Sequence, residues 1–249
     1  GGGIFDYGPG GKGSNQAVGA ARLGAEVSLL TALGNDIFAE AARELWAAEG
    51  IDSSRVIQGN GPTMSALILV DDDGNNRIII AEGALGDLTL EDVENFRDEI
   101  AQADLALVSM EIPLEIALGA LRIAREVGTR SVLNPAPAVA LPDDAWELFD
   151  VLTPNQTEGL ILAGLAPDAG LEPQAVLGAL RSRTSASIVM TLGGEGCLVD
   201  DSGDITHVPA FVPPKIVDTT GAGDSFSSAL SVGLCQGLSV HDAAVMGAA

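Results

Sequence analysis

Residues 218–226, DTTGAGDSF, place a carboxylate directly after a turn of small residues. Gly221, Ala222 and Gly223 would let backbone N–H groups close on an anion. The segment that follows predicts a helix, whose N-terminal end adds positive partial charge at the same place. This arrangement suits the charge that builds on a phosphoryl group during transfer, and Asp224 could take the proton of an attacking hydroxyl. Alternatively, Asp224 only caps the helix, which its position explains equally well.

A glycine cluster near the start of the sequence, GPGGKGSNQA, holds a lysine. Only two lysines occur in the chain, Lys12 and Lys215, so the placement of Lys12 among glycines favours a functional role over a solvated charge. The cluster does not match a Walker A phosphate loop, because Gly13 follows the lysine and Asp6 stands where the first glycine of that loop is required. A P-loop nucleotide site is therefore excluded.

The segment TPNQTE, residues 153–158, places an amide and an acid three positions apart. On a helix, Asn155 and Glu158 would lie one turn apart on the same face, where they could hold hydrated Mg²⁺ or orient phosphate oxygens. The same spacing fits an ordinary capping box, which is the preferred interpretation on spacing alone. His207 and His241 have no cysteine or acidic partners at metal-ligand spacing, and neither zinc chemistry nor a Ser-His-Asp triad is supported.

The composition limits the class of protein. The chain has 249 residues, a net charge of −23 and a pI near 4.1, which argues against nucleic acid and anionic membranes as partners. No apolar run has the length of a membrane span, and the first residues lack the apolar core of a signal peptide. Cys197 and Cys235 lie far apart in apolar surroundings. These features predict a cytoplasmic protein with two inert thiols in its core.

Short apolar strands alternate with amphipathic helices, which predicts an α/β fold with a mostly parallel sheet covered on both faces. Residues 63–82 break this pattern and predict a β-hairpin lid, and with no repeat or long linker we expect one domain over residues 1–249. Three loops, LNPAPA, TPNQTE and TLGGEG, would leave the sheet at the edge where such sheets bind ligands. Among the predicted strands are VSLLTAL, DLALVSM and RSVLN, and among the predicted helices SNQAVGAARLG, TLEDVENFRDEIAQA and SFSSALSVGLCQG.

Together these motifs resemble the ribokinase-like (PfkB) family of sugar kinases. The matching segments, in the family's order over nearly the whole chain, are GGKGSNQAVGAARLG, EIP at residues 111–113, LNPAPA, TPNQTE, TLGGEG and DTTGAGDSF. The first and the last are highly specific, and the others support them. The resemblance implies a three-layer α/β sandwich with a small β lid. It also implies transfer of the γ-phosphate of ATP to the primary hydroxyl of ribose or a similar small sugar.

The resemblance assigns a role to each matching residue. Asp224 resembles the catalytic base, and Gly221, Ala222 and Gly223 resemble the anion hole. The residues that resemble sugar contacts are Gly11, Lys12, Asn15 and Glu111, with Lys12 also near the transferred phosphate. The residues that resemble the nucleotide site are Asn155, Glu158, Thr191, Gly193 and Gly196.

Metal ions and a second subunit are also implied by the family. Glu158 would reach Mg²⁺ through water, and Asp218 and Thr220 resemble part of a monovalent-cation site, which points to K⁺. Sugar and ATP are the expected small-molecule partners. A homodimer formed through the lid is a further expectation.

The sequence departs from the family at its ends. Family chains usually carry a sugar-binding strand ahead of the GGKG motif and continue beyond the helix that ends this sequence, so the domain is expected to be incomplete at both termini. Kinases of the same family for another sugar, a sugar acid or a nucleoside remain alternatives. A non-catalytic sugar- or nucleotide-binding protein is disfavoured by the intact motif around Asp224, and a nicotinamide-dependent oxidoreductase by the lack of a proper G-x-G-x-x-G fingerprint.

Overall fold

The computed structural model describes residues 8–70, 76–211 and 218–249. Its helices are α1 (Lys12–Arg22), α2 (Ile37–Ala48), α3 (Leu90–Glu94), α4 (Arg97–Gln102), α5 (Leu114–Val127), α6 (Gln156–Leu162), α7 (Pro173–Arg181), α8 (Ala222–Cys235) and α9 (Val240–Ala248). Its strands are β1 (Ala32–Leu33), β2 (Ile57–Gln58), β3 (Ser65–Val70), β4 (Asn76–Ala81), β5 (Leu105–Ser109), β6 (Arg130–Asn134), β7 (Val151–Leu152), β8 (Ser187–Thr191), β9 (Cys197–Asp201) and β10 (Asp204–Val208). Short 3₁₀ helices cover Gly83–Asp87, Asp143–Glu147 and Gly193–Glu195.

The central sheet brings four strand ends to one edge. Its order is β10-β9-β8-β7-β6-β5, with β5 to β8 parallel and with β9 and β10 antiparallel to their neighbours. Where β5 and β6 end, Ser109 lies opposite Asn134. Because parallel strands end at the same edge, the loops LNPAPA, TPNQTE and TLGGEG leave the sheet side by side, as the sequence predicts.

Successive side chains of the central strands point to opposite faces of the sheet and enter two different cores. Leu133 and Leu152 pack into a core shared with α5, α6 and α7. Their neighbours Val132 and Val151 pack into a second core with α8 and α9. A sheet that buries both faces in this way needs near-continuous apolar strands, which is what RSVLN and DVL supply. The predicted three-layer α/β sandwich with a mostly parallel sheet is confirmed.

Two small sheets lie outside the central one. Strands β3 and β4 form an antiparallel hairpin in which Ala66 lies opposite Ile80 and Leu67 opposite Ile79, within the span predicted as a lid. The predicted turn of this hairpin, DDDGNN at residues 71–76, lies outside the described residues except for Asn76, which begins β4. The segment VSLLTAL pairs with β2 only at Ala32–Leu33, so the predicted strand is much shorter than expected.

Helix α1 packs unusually close to α8. A Cβ atom added to Gly19 would lie 2.5 Å from Oγ of Ser228, so a glycine is needed at this contact. The buried hydroxyl of Ser228 lies 2.9 Å from the carbonyl oxygen of Gln16 and 2.7 Å from that of Asp224. This contact fixes the first turns of the two helices side by side, although Gln16 and Ser228 are 212 residues apart in the sequence.

Two further predictions need correction. TLEDVENFRDEIAQA forms two short helices, α3 and α4, because the chain leaves the helical path at Phe96, whose ring packs against the core around Val93. Cys197 is buried, and burial raises the pKa of its thiol to about 11. Cys235 is exposed, so the prediction of two core thiols is wrong for this residue.

Within the described residues, no helix has the length and apolarity needed to cross a membrane.

Candidate active site

Asp224 is a buried carboxylate in the first turn of α8, where its side chain is 8% exposed. Its oxygens accept hydrogen bonds from α1: Asn15 donates through Nδ2 to Oδ2 at 2.8 Å, and Gln16 donates through Nε2 to Oδ1 at 3.2 Å. The N-cap of α8 is Gly221, and Asp224 occupies the third helical position without accepting from its own helix. Helix capping therefore does not explain this acid. A buried carboxylate that is held by amides at a helix N-terminus can serve as a proton acceptor.

The glycine motif forms the start of α8 rather than a separate turn. Of its three small residues, Gly221 alone has a positive φ, at 76°, and helix α8 already begins at Ala222. The N–H of Ala222 donates to the carbonyl of Thr219 at 3.1 Å, so it is not free to meet an anion as predicted. The N–H groups of Gly223 and Asp224 have no acceptor in the described part of the chain. Two free donors therefore stand at a positive helix end, beside a carboxylate.

Glu111, which follows β5, lies against the start of α1. Its Oε2 accepts from the backbone N–H of Lys12 at 2.6 Å, and a Cβ atom on Gly11 would lie 3.4 Å from the same oxygen. Burial raises the pKa of Glu111, the hydrogen bond and the charge of Lys12 oppose this shift, and the charge of Asp224 adds to it. Asn15 contacts Asp224 directly and Glu111 contacts the start of α1, so the four residues predicted to bind sugar lie near Asp224.

Asn155 and Glu158 form the capping box that their spacing favours. Asn155 Oδ1 accepts from the N–H of Glu158 at 2.8 Å, and Glu158 Oε2 accepts from the N–H of Asn155 at 2.8 Å. Burial raises the pKa of Glu158, and the charges of Lys12 and Asp224 act on it in opposite directions. Glu158 is therefore within electrostatic range of both Lys12 and Asp224.

The predicted nucleotide residues continue from this motif along the sheet edge. Thr191, at the end of β8, donates from its N–H to the carbonyl of Pro154 at 2.9 Å and lies beside Asn155. The tight turn that follows needs glycine at its end, since a Cβ atom on Gly196 would lie 2.0 Å from the carbonyl oxygen of Val208. The first glycine of this turn, Gly193, also has a positive φ and is exposed to solvent.

Asp218 and Thr220 precede α8 on the surface. Asp218 Oδ1 accepts from the N–H of Thr220 at 2.9 Å and from its hydroxyl at 2.8 Å. These two hydrogen bonds lower the pKa of Asp218, which keeps the carboxylate charged. In residues 8–70, 76–211 and 218–249, no group of three or more His, Cys, Asp or Glu side chains could hold a metal ion.

A cleft of about 2580 Å³ opens beside the residues predicted to bind sugar. Gly11, Asn15 and Glu111 line it, and it extends along β5 past Leu105 and Leu107. Three of the four predicted sugar contacts therefore line the cleft, whereas Lys12 and Asp224 are not among its lining residues.

Both the sequence and the fold are similar to those of known carbohydrate kinases. Residues 2–249 match the pfkB family carbohydrate kinase. The ribokinase of Haemophilus influenzae is 36% identical over 96% of this chain and 78% of its own length. The bifunctional ribokinase/ribose-5-phosphate isomerase A of Fructilactobacillus sanfranciscensis is 37% identical over 89% of this chain, which spans 41% of that protein. The ribokinase of Arabidopsis thaliana, solved with ribose and ATP, has a TM-score of 0.85 and 26% identity over 96% of this chain and 78% of its own.

The chain belongs to the pfkB family of carbohydrate kinases. The resemblance inferred from the motifs is confirmed, and the protein is a phosphotransferase that acts on a sugar hydroxyl. In this kinase the sequence analysis missed one polar residue of the site, Gln16, whose side chain is 3% exposed and contacts Asp224. An amide in the middle of an amphipathic helix gives no signal of its own, because its burial depends on α8 at the far end of the chain.

Proposed function

We propose that this kinase transfers the γ-phosphate of ATP to the primary hydroxyl of ribose or a similar small sugar, with Asp224 as the general base. The observation that carries the proposal is the buried carboxylate of Asp224 beside the free N–H groups of Gly223 and Asp224 at the start of α8. The ribokinases of similar sequence and the Arabidopsis structure with ribose and ATP support the choice of substrates.

In the proposed reaction, Asp224 removes the proton of the sugar hydroxyl as its oxygen attacks the terminal phosphorus of ATP. The bond between that phosphorus and the leaving oxygen breaks, which releases ADP. The free N–H groups of Gly223 and Asp224, together with the helix N-terminus, stabilise the charge on the transferred group. Lys12 supplies positive charge at the same place, and Gly11, Asn15 and Glu111 bind the sugar. The chain then carries one kinase domain, with the β3–β4 hairpin as its lid.

A panel of sugars with ATP tests this proposal directly. Sugar-dependent formation of ADP with ribose is the expected result, and the relative kcat/KM values identify the preferred sugar among pentoses, deoxypentoses and ketohexoses. Sugar binding without turnover would instead favour the non-catalytic alternative. Turnover with a sugar acid or a nucleoside alone would assign another substrate within the family.

Magnesium fits the proposed nucleotide site only together with the nucleotide. Because the described residues provide no cluster of metal ligands, the ion would be bound mainly by the phosphates, with Glu158 reaching it through water. Mg²⁺ bound in this way neutralises charge on the phosphates during transfer. Thr191, Gly193 and Gly196 would bind the nucleotide beside Asn155. Asp218 and Thr220 would take part in a K⁺ site.

Replacing Glu158 with glutamine separates the metal role from the capping role. Glutamine also completes a capping box, so the helix should be retained. We expect a higher Mg²⁺ concentration at half-maximal activity, by about threefold or more, because the carboxylate charge is lost. An unchanged Mg²⁺ requirement would leave Glu158 with only its capping role.

Thermal stability provides the control for this variant. Burial raises the pKa of Glu158 in the folded protein, so its ionised form costs stability as the pH rises through that pKa. A neutral glutamine should therefore keep or raise the melting temperature at neutral pH. A large fall would show that the variant disturbs the fold.

We further propose that the protein forms a homodimer through the lid. The hairpin exposes the apolar cross-strand pair of Leu67 and Ile79, with Ile79 59% exposed, and Ile80 is exposed on its opposite face. Exposed apolar side chains favour contact with a second apolar surface, because the contact removes both from water. A second copy of the same hairpin would supply one through two-fold symmetry.

Analytical ultracentrifugation of Ile79→Lys and Ile205→Lys tests the proposed dimer. Ile205 is a matched control, since it is 45% exposed on β10, which belongs to the central sheet and not to the hairpin. We expect the parent protein and Ile205→Lys to sediment as dimers and Ile79→Lys to sediment as a monomer. A monomeric parent protein, or an Ile79→Lys dimer of equal strength, would contradict the proposal.

A further inference from the structure

A chain of buried amides connects the central sheet to Asp224. Asn134, at the end of β6, donates from Nδ2 to the carbonyl oxygen of Thr153 at 3.1 Å. Its Oδ1 accepts from Nε2 of Gln16 at 3.0 Å, and the same Nε2 donates to Oδ1 of Asp224. Asn134, Thr153 and Gln16 are all buried. This series of hydrogen bonds therefore runs from the sheet edge through α1 to Asp224 within the buried part of the protein.

The direction of each amide in this chain follows from its partners. The carbonyl of Thr153 can only accept, so the NH₂ group of Asn134 must face it and the oxygen of Asn134 must face Gln16. Gln16 then meets two acceptors, the oxygen of Asn134 and the carboxylate of Asp224, and can satisfy both only with its NH₂ group. A reversed amide at Gln16 would place oxygen against two oxygens. Gln16 is thus locked as a donor to Oδ1 of Asp224.

The second oxygen of Asp224 is held differently. Oδ2 accepts from Asn15, which is half-buried and lines the cleft at the sugar end. Asn15 can exchange this hydrogen bond for one to a sugar. Gln16 also borders the cleft, but it is only 3% exposed and donates from its NH₂ group to Asn134 and Asp224, so it cannot bind a ligand without leaving these partners. The two oxygens of the base therefore have one fixed donor and one replaceable donor.

We propose that Gln16 is a positioning residue that holds Oδ1 of Asp224, so that Oδ2 is the oxygen that takes the proton of the sugar hydroxyl. The proposal rests on the general-base role proposed above for Asp224. The O–H bond of the sugar breaks, its proton passes to Oδ2, and its electron pair forms the new bond to phosphorus. Gln16 binds neither substrate, and its effect passes through the orientation of the carboxylate.

Steady-state kinetics of Gln16→Met test the proposal. Methionine fills the space of glutamine without a donor, so the carboxylate can rotate away from its working direction. We expect kcat to fall about tenfold, the value of one hydrogen bond to a charged group. The KM values for sugar and ATP should stay within about twofold, because Gln16 touches neither substrate. An unchanged kcat, or a rise in KM at constant kcat, would overturn the proposal.

Ser228→Ala is the matched structural control. Ser228 also joins α1 to α8 in the buried interface, but its hydroxyl contacts backbone carbonyls and not the carboxylate. We expect this variant to lower the melting temperature while kcat stays within about twofold of the parent value. If Ser228→Ala lowers kcat as much as Gln16→Met does, the effect of Gln16 is one of helix packing, and the proposal fails.

A double-mutant cycle distinguishes failure of this proposal from failure of the proposed function. In an Asp224→Ala background, Gln16→Met should cause no further loss of the residual turnover, since there is no carboxylate left to position. A further tenfold loss would show that Gln16 acts elsewhere. If Gln16→Met does not fold, Asn134→Ala provides a second test, because it removes the hydrogen-bond partner that orients Gln16. We expect Asn134→Ala to lower kcat in the same way. If kcat of Asn134→Ala equals that of the parent protein, the proposal is overturned. No sugar-dependent turnover in the parent protein would contradict the proposed function itself.

Discussion

Asp224→Asn should lower kcat by about 10² or more while the fold and nucleotide binding are kept, since general base catalysis commonly contributes that much. The geometry explains why the fold should survive. Gln16 is locked as a donor, so the oxygen of the new asparagine would face it, and the amide of Asn15 is free to turn and accept from the new NH₂ group. The variant therefore loses the proton acceptor but keeps both hydrogen bonds.

Asp242→Asn is a close control for this variant. Asp242 occupies the third position of α9, as Asp224 does in α8, and is exposed on the surface. Both substitutions remove one negative charge from the first turn of a helix. Activity should survive in Asp242→Asn and be lost in Asp224→Asn. If Asp224→Asn keeps a kcat near that of the parent, Asp224 is not the base.

Most of the central sheet could be predicted from the sequence, because each strand has its own run of consecutive apolar residues. RSVLN and DLALVS have apolar residues at successive positions, as strands buried on both faces require, and they form β6 and β5. Strand β9 was not predicted, although it lies in the same sheet. Its buried Asp200 interrupts the apolar pattern, and only the structure shows that Arg181 of α7 neutralises this charge through a bidentate contact.

The site could be read only in part, because two of its motifs fit two roles each. DTTGAGDSF and TPNQTE each place an acid near a helix start, so capping and chemistry predict the same sequence. The structure separates them: Glu158 completes a capping box, whereas Asp224 turns away from its own helix toward α1. That distinction depends on contacts between residues about 200 positions apart, which a local pattern does not encode.

Lys12→Met should raise the KM for the sugar and lower kcat, with little change in stability. Lys12 begins α1 in a half-buried position, and its charge lowers the pKa of both Glu111 and Glu158 against the effect of burial. A cation that acts on both carboxylates lies between the proposed sugar and nucleotide ends. It should therefore stabilise the substrate complex and, more strongly, the charge of the transferred phosphoryl group. We expect a fall in kcat/KM of about 10².

The backbone contact of Lys12 makes this substitution a test of charge. Its N–H donates to Glu111 whatever the side chain, so methionine leaves that hydrogen bond in place. Lys12→Arg should restore activity only in part, because a planar guanidinium does not replace a compact ammonium in a glycine-lined turn. Arg22→Met removes a cation from the opposite, exposed end of α1 and should leave the kinetics unchanged.

Denaturation midpoints complete the comparison of these variants. Arg22 forms a surface ion pair with Glu49, so its loss should change the stability little, and Lys12→Met should cost no more. A solvated surface lysine would give no kinetic effect in either Lys12 variant. If Lys12→Met leaves kcat/KM within about twofold of the parent value, a change of less than about 0.5 kcal/mol, Lys12 lies outside the working site. Independent evidence would then be needed for the other proposed sugar contacts, Gly11, Asn15 and Glu111, because they were assigned together with Lys12.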